Sequence, residues 1–208
     1  ARHEVLKKAG WDVEAFGLFG APPVTVVAGE EAHATLFVAL RMLGLGADRV
    51  VRVATDGQGR MDPAALEKAL SAAEGPLIVC LQAGNVNTGA FDPCSRLIPP
   101  AREKGAWIHV DGAFGLWGRL LPELAGETAG IEGADAFAAV TKGDNTNIVC
   151  ALIAAREFEV PCAVARVYDP LRAAAFARLG LRTVCPTEDA RVLMVDEVRS
   201  CPAAGKEG

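Results

Sequence analysis

The stretch Trp107-Ile108-His109-Val110-Asp111-Gly112-Ala113-Phe114-Gly115 decides the fold. Apolar positions run up to Val110, a single carboxylate follows at Asp111, and small residues come next at Gly112, Ala113 and Gly115. Such a run reads as a buried parallel strand that carries one acid to its C-terminal end, the edge at which open α/β sheets bind ligands. A carboxylate there calls for a cationic partner. The same residue type also serves simply to open a turn or cap the next segment, and this stretch by itself leaves both roles open.

Upstream, the same strand-then-helix rhythm repeats. Residues 1–10 have helical spacing and stop at Gly10. The β-branched run 24–28 predicts a strand, and Gly29-Glu30-Glu31 opens a helical pattern that continues to Leu45. Residues 49–55 predict a second strand, Asp56-Gly57-Gln58-Gly59 a turn, and Asp62-Pro63 a helix start reaching Ala73, with proline where its missing N–H costs nothing. Residues 77–81 and 96–104 predict the next strand and helix. Downstream, strands are expected at 134–140, 162–167 and 183–185, and helices at 145–158 and 170–179, the last ended by Gly180. The expected fold is α/β, three-layered, with a mostly parallel sheet.

Composition narrows the function. A chain of 208 residues with 51% hydrophobic content can bury a real core, as one large domain or two small ones. Lys plus Arg number 21 against 26 Asp plus Glu, and no basic stripe stands out, so nucleic acid is not an expected partner. No apolar stretch approaches the roughly 20 residues of a membrane span, and the first residues lack the apolar core of a signal peptide. The expectation is a cytoplasmic protein without membrane insertion. The six cysteines form no C-x-x-C pair and no His/Cys cluster, and neither H-E-x-x-H nor G-x-S-x-G occurs, so no metal site is expected.

Three places can carry chemistry. Asp111 is the first. His33 falls at the start of the helix after the first strand, where a ring can reach the sheet edge and stack on a flat ligand, or simply sit half exposed on a helix. The loop Ala83-Gly84-Asn85-Val86-Asn87-Thr88-Gly89-Ala90-Phe91-Asp92-Pro93 packs amides and a hydroxyl at the same edge, although Asn and Gly also favour plain turns.

Four ordered motifs, E-E-A-H-A-T-L-F-V-A-L-R-M-L-G-L-G, V-A-T-D-G-Q-G-R-M-D-P-A-A-L, L-Q-A-G-N-V-N-T-G-A-F-D-P and W-I-H-V-D-G-A-F-G-L-W, resemble the pyridoxal-phosphate-dependent (group II) amino-acid decarboxylases over residues 1–133. The resemblance implies a carboxy-lyase that uses pyridoxal phosphate on a small-molecule amino acid, with a homodimer as the expected assembly. It implies that His33 stacks on the pyridine ring, that Asp111 pairs with the protonated ring nitrogen, that Ala113 underlies the opposite ring face, and that Asn85 reaches the phenolic oxygen. The family's phosphate loop corresponds to sequence upstream of Ala1. Its Schiff-base lysine follows a histidine; without a gap, Lys142 falls on that histidine and Gly143 on the lysine. Lys142 is therefore the catalytic candidate, one position early, and impaired or absent activity is the expectation.

The second half carries another likeness. G-A-D-A-F-A-A-V-T-K-G-D-N-T-N-I-V-C-A-L-I-A-A-R-E-F, V-A-R-V-Y-D-P and L-G-L-R-T-V-C-P-T resemble the C-terminal part of the TrkA-N (RCK, KTN) Rossmann module of potassium uptake systems and channels, over residues 130–187. This implies, as an alternative, binding of NAD or an adenine nucleotide near Thr141, Asp144 and Asn147, without the glycine turn that cradles a pyrophosphate. The expected organisation is a partial decarboxylase-like domain at 1–133, a partial Rossmann unit at 134–190 and a tail at 191–208 disordered at its end. The chain thus reads as a chimera in which one sheet continues across the join.

Overall fold

The computed structural model describes residues 1–115 and 133–201. The chain divides into two compact units, Ala1–Gly130 and Ile131–Gly208. Both are built of parallel strands and helices, the α/β architecture expected from the alternating sequence pattern.

In the first unit four parallel strands, β1 (Thr25–Gly29), β2 (Val51–Val53), β3 (Leu77–Gln82) and β4 (Trp107–Asp111), lie in the order β2-β1-β3-β4. β3 is central because Leu77 through Leu81 are apolar on both faces, and all five are buried. Side chains alternate across a strand, so the sheet sorts its residues into two layers. Val27, Val79 and Leu81 pack with Leu66 and Leu70 of α4 (Pro63–Ala72) and with Leu97 and Ala101 of α5 (Cys94–Glu103). Val26, Ala28, Ile78 and Cys80 pack with Val5 of α1 (Arg2–Lys8) and Leu40 of α3 (Ala34–Met42). A short helix, α2 (Val13–Phe16), lies between α1 and β1 in the chain. Leu66 and Leu97 are fully buried, each contributing about 1.5–3 kcal/mol from burial.

The helix starts follow the sequence. Asp62 caps α4, its Oδ1 accepting the amides of Ala64 at 2.7 Å and Ala65 at 3.1 Å, and Pro63 occupies the first helical position. Asp169 and Pro170 repeat this device in the second unit, at the start of α7 (Pro170–Arg178).

The second unit carries its own parallel sheet, β5 (Phe137–Ala139), β6 (Ala163–Arg166) and β7 (Arg182–Val184), in the order β5-β6-β7. α6 (Asp144–Arg156) and α7 connect its strands, and α8 (Pro186–Ser200) closes the described chain. Two expectations need correction. Among the described residues the strands form two separate sheets, so no single sheet continues across the join. Residues 191–200 belong to α8 rather than to a tail. Pro186 at its start and Glu188 and Asp189 in its first turn favour the helix, but Leu193, Met194 and Val198 are exposed, so no covered apolar face marked it in sequence. Residues 202–208, where the disordered end was expected, lie outside the described residues.

Candidate functional site

The register of the first sheet builds the site. Gln82 is paired with Asp111 and Cys80 with His109, so His109 and Asp111, two apart on β4, share a face with Cys80 on the neighbouring strand. On that face opens a small cleft, lined by Gly29, Ala32, His33, Leu36, Gly59, Cys80, Leu81, Gln82, Asp92, His109 and Asp111. The first sequence candidates, His33 and Asp111, therefore meet in one cavity at the C-terminal end of parallel strands.

Each is held by local structure. Asp111 is half-buried, and its Oδ1 accepts the Ala113 amide at 3.2 Å, while its carbonyl accepts the Ala83 amide at 2.8 Å. His33 is the cap residue of α3, with Nδ1 accepting the Thr35 amide at 3.4 Å and the Thr35 hydroxyl 2.7 Å away. Its ring lies 6.1 Å from that of Phe114, tilted by 58°. Ala113 is exposed beside Asp111.

Asn85 is 3% exposed. Its Oδ1 accepts the amides of Asn87 at 2.8 Å and Thr88 at 3.3 Å, but its Nδ2 is buried without a hydrogen-bond partner. That nitrogen lies against the cleft-lining Gly59, where an added Cβ would stand 2.7 Å from it. Gly59 has φ of 77°, so this turn needs glycine for conformation and for space. A second close approach joins the loops after β3 and β4. A Cβ on Gly115 would stand 2.4 Å from the Ala83 carbonyl oxygen, and the Gly115 amide donates to that oxygen at 3.0 Å.

Sequence reasoning missed three residues of the cleft. Asp92 clamps it from beneath, accepting the amides of Met61 and Gln82, each at 2.7 Å. Burial pushes its carboxyl pKa up, against the pull of those two amides. Burial, reinforced by the Asp111 charge, pushes the Cys80 thiol up to about 12, which keeps it protonated and unreactive. His109 keeps an accessible edge, yet the protein around it holds its imidazole below the ordinary value, against the pull of Asp111. The alternation of His109 with Asp111 was a usable signal; nothing local marked Asp92.

The remaining candidates lie in the second unit. Lys142 is exposed just before α6. Asn147 is fully buried and its amide is saturated: Oδ1 accepts the Thr141 amide and hydroxyl, both at 2.7 Å, and Nδ2 donates to the carbonyls of Thr141 and Arg166, both at 2.9 Å. Asp144 accepts the amides of Tyr168 at 2.9 Å and Asp169 at 3.1 Å, and the first of these contributes most to lowering its pKa. Thr141, Asp144 and Asn147 thus tie the ends of β5 and β6 together. Among the described residues no cluster of His, Cys, Asp and Glu suits a metal ion, and no helix is long and apolar enough to cross a membrane.

Residues 5–158 match the pyridoxal-dependent decarboxylase conserved domain. The chain belongs to that family. Among curated relatives it is 34% identical over 108 residues to acidic amino acid decarboxylase GADL1 of Bos taurus, covering 50% of this chain and 21% of the relative. It is 35% identical over 108 residues to cysteine sulfinic acid decarboxylase of Rattus norvegicus, covering 50% of this chain and 22% of that one. Of solved structures, mouse CSAD superposes with a TM-score of 0.57 at 30% identity, over 63% of this chain and 29% of that chain. Oryza sativa TDC with PLP gives 0.55 at 28%, over 64% and 29%. The chain spans about a fifth of the length of the curated relatives it matches. The family match runs past the expected join to residue 158, and neither a TrkA-N module nor a chimera gains support from the comparisons.

Proposed function

We propose that the first unit holds the pyridine ring of pyridoxal phosphate as part of an amino-acid decarboxylase. One observation carries the reading: His33 and Asp111, drawn from different segments, line one cleft at the carboxyl end of a parallel sheet. Two of the four residues the reading calls on, His33 and Asp111, line the cleft, while Ala113 and Asn85 are not among its lining residues. Asp111 supplies a carboxylate for a protonated ring nitrogen, the His33 ring supplies a stacking face, and Ala113 next to Asp111 is small enough to underlie a flat ring. The orphaned Nδ2 of Asn85 is a donor suited to the phenolic oxygen. When bound, the cofactor supplies an electron sink for the carbanion left by loss of carbon dioxide. The role of Asp111 is to keep the ring nitrogen protonated, and the role of the cleft walls is to hold the ring and exclude water. Solved Oryza sativa TDC carries PLP, and the curated relatives named above are decarboxylases of acidic amino acids and of cysteine sulfinic acid; an amino acid, as a small-molecule substrate, is accordingly proposed.

Lys142 stays the candidate amine, and Gly143 in the next position is the reason to expect weak or no turnover by this chain. A second copy of the chain is the proposed partner and the cytoplasm the proposed location. The nucleotide reading goes no further, because Asn147 has its whole amide engaged within the second unit.

The test is an absorbance titration with pyridoxal phosphate, followed by borohydride reduction and mapping of the labelled lysine. A saturable band that weakens at least about tenfold in Asp111→Asn, worth about 1.4 kcal/mol, is the expected result. No band at millimolar cofactor, or an unchanged affinity in the variant, removes the reading. Label on a lysine other than Lys142 removes that assignment alone.

A further inference from the structure

We propose that Thr35 is a positioning residue that fixes the ring plane and the tautomer of His33, so that the imidazole offers a donor, Nε2–H, to the ligand of the cleft. The clause about the ligand rests on the cofactor reading above; the positioning itself does not. His33 holds the N-cap place of α3, where Ser, Thr, Asp and Asn are the usual residues because their oxygens accept amide protons. Here the accepting atom is Nδ1. An amide N–H only donates, so the 3.4 Å contact from the Thr35 amide assigns Nδ1 as the acceptor and the neutral-ring proton to Nε2, and the contact of the same nitrogen with the Thr35 hydroxyl is compatible with either direction.

The Thr35 hydroxyl, 2.7 Å from the same nitrogen, makes this a two-point hold from a single residue. A histidine cap differs from an aspartate cap in one respect. Its two polar atoms sit on one rigid ring, so fixing the role and direction of the first fixes those of the second. Phe114, 6.1 Å away, bounds the ring further. His33 lines the cleft, so the consequence is chemical: Nε2–H favours a ligand with an acceptor, such as a carboxylate, and disfavours one that presents only a donor. Thr35 is exposed, so changing it leaves the core untouched.

The experiment uses the full chain without cofactor, labelled with 15N, at pH 8.5, about two units above the ordinary imidazole value of about 6.5. The chain has three histidines, and His33→Gln identifies the His33 signals by their loss. Long-range 1H–15N correlations are expected to show His33 at the Nε2–H limit. In Thr35→Val they are expected to move toward the mixed values of a free histidine peptide measured alongside, and in Thr35→Ser to return. An Nδ1–H ring in the unsubstituted protein, or a tautomer indifferent to Thr35→Val, overturns the proposal. Titrating the same samples with pyridoxal phosphate is expected to show severalfold weaker binding in Thr35→Val and recovery in Thr35→Ser. A flat titration of the unsubstituted protein, with the tautomer result as expected, upholds the positioning role and removes the cofactor reading. Binding unchanged in Thr35→Val overturns the ligand clause.

Discussion

Asp111 ends a parallel strand and Asp144 opens the helix that follows one, each with an asparagine in the neighbouring structure, and they are used in opposite ways. In the second unit the two residues are consumed by the fold: Asp144 takes two amides, and all four hydrogen-bonding contacts of the Asn147 side-chain amide go to Thr141 and Arg166, although Nε of Arg166 is itself buried without a partner. In the first unit, among the described residues, Asp111 accepts one amide at its carboxylate and Asn85 keeps a buried nitrogen without a partner. A buried orphan donor costs about 1–3 kcal/mol, which a fold tolerates where a ligand satisfies it. The comparison teaches that residue type at a strand end does not separate a site from a clamp. For these two pairs of residues the unused capacity of the acid and its asparagine does.

The contrast can be broken by substitution, and the chain carries its own reporters. Its single tyrosine, Tyr168, is in the second unit, and all three tryptophans are in the first. The largest effect is expected from Asn147→Ala, about 3 kcal/mol in a urea titration followed through Tyr168, because four bonds are lost and the Thr141 amide and the Arg166 carbonyl lose their Asn147 partner. Asn85→Ala, followed through tryptophan fluorescence, is expected to cost only about 1 kcal/mol, since two bonds go but the orphan nitrogen goes with them. Equal costs would erase the distinction drawn here.

Gly115→Ala is next, at about 2 kcal/mol. Its Cβ would stand 2.4 Å from the Ala83 oxygen, so backbone must shift, and the tryptophan transition should move to lower urea. A comparable effect, divided between two thiols, is expected from pH. Burial raises the Cys80 and Cys94 thiols from 9.0 to about 12 and about 11, so the unfolded chain ionises first. Their contribution to stability is complete below about pH 9 and is lost as pH rises toward the folded values, by about 1 kcal/mol per thiol at pH 10. The midpoint of the tryptophan transition should fall between pH 8 and 10, and less so in Cys80→Ala. The smallest effect is expected from Asp111→Asn, within about 0.5 kcal/mol of the unsubstituted protein, although the proposed function expects the same change to weaken binding of pyridoxal phosphate. A large loss of stability would place Asp111 among the clamps.

Much of the first unit was legible because its signals are local. The continuous apolar run of β3 marks a strand covered on both faces, and Asp62-Pro63 and Asp169-Pro170 mark helix starts by a mechanism confined to four residues. His33 and Asp111 were legible as candidates, but their meeting was not, since 78 positions of chain separate them and only the β3–β4 register and the place of α3 close that gap. Asp92 was illegible for the same reason: its amide partners, Met61 and Gln82, come from two other segments. α8 was missed because its exposed Leu193, Met194 and Val198 leave no buried stripe to read.

Sequence alone determined the alternation of parallel strands and helices, the acid at the end of β4 and the histidine before α3, because period, caps and glycine turns act over a few residues. Tertiary structure decided which polar groups are free to meet a ligand. That depends on hydrogen bonds between segments far apart in the chain, and a side chain's spare capacity is fixed only when its neighbours in space are known.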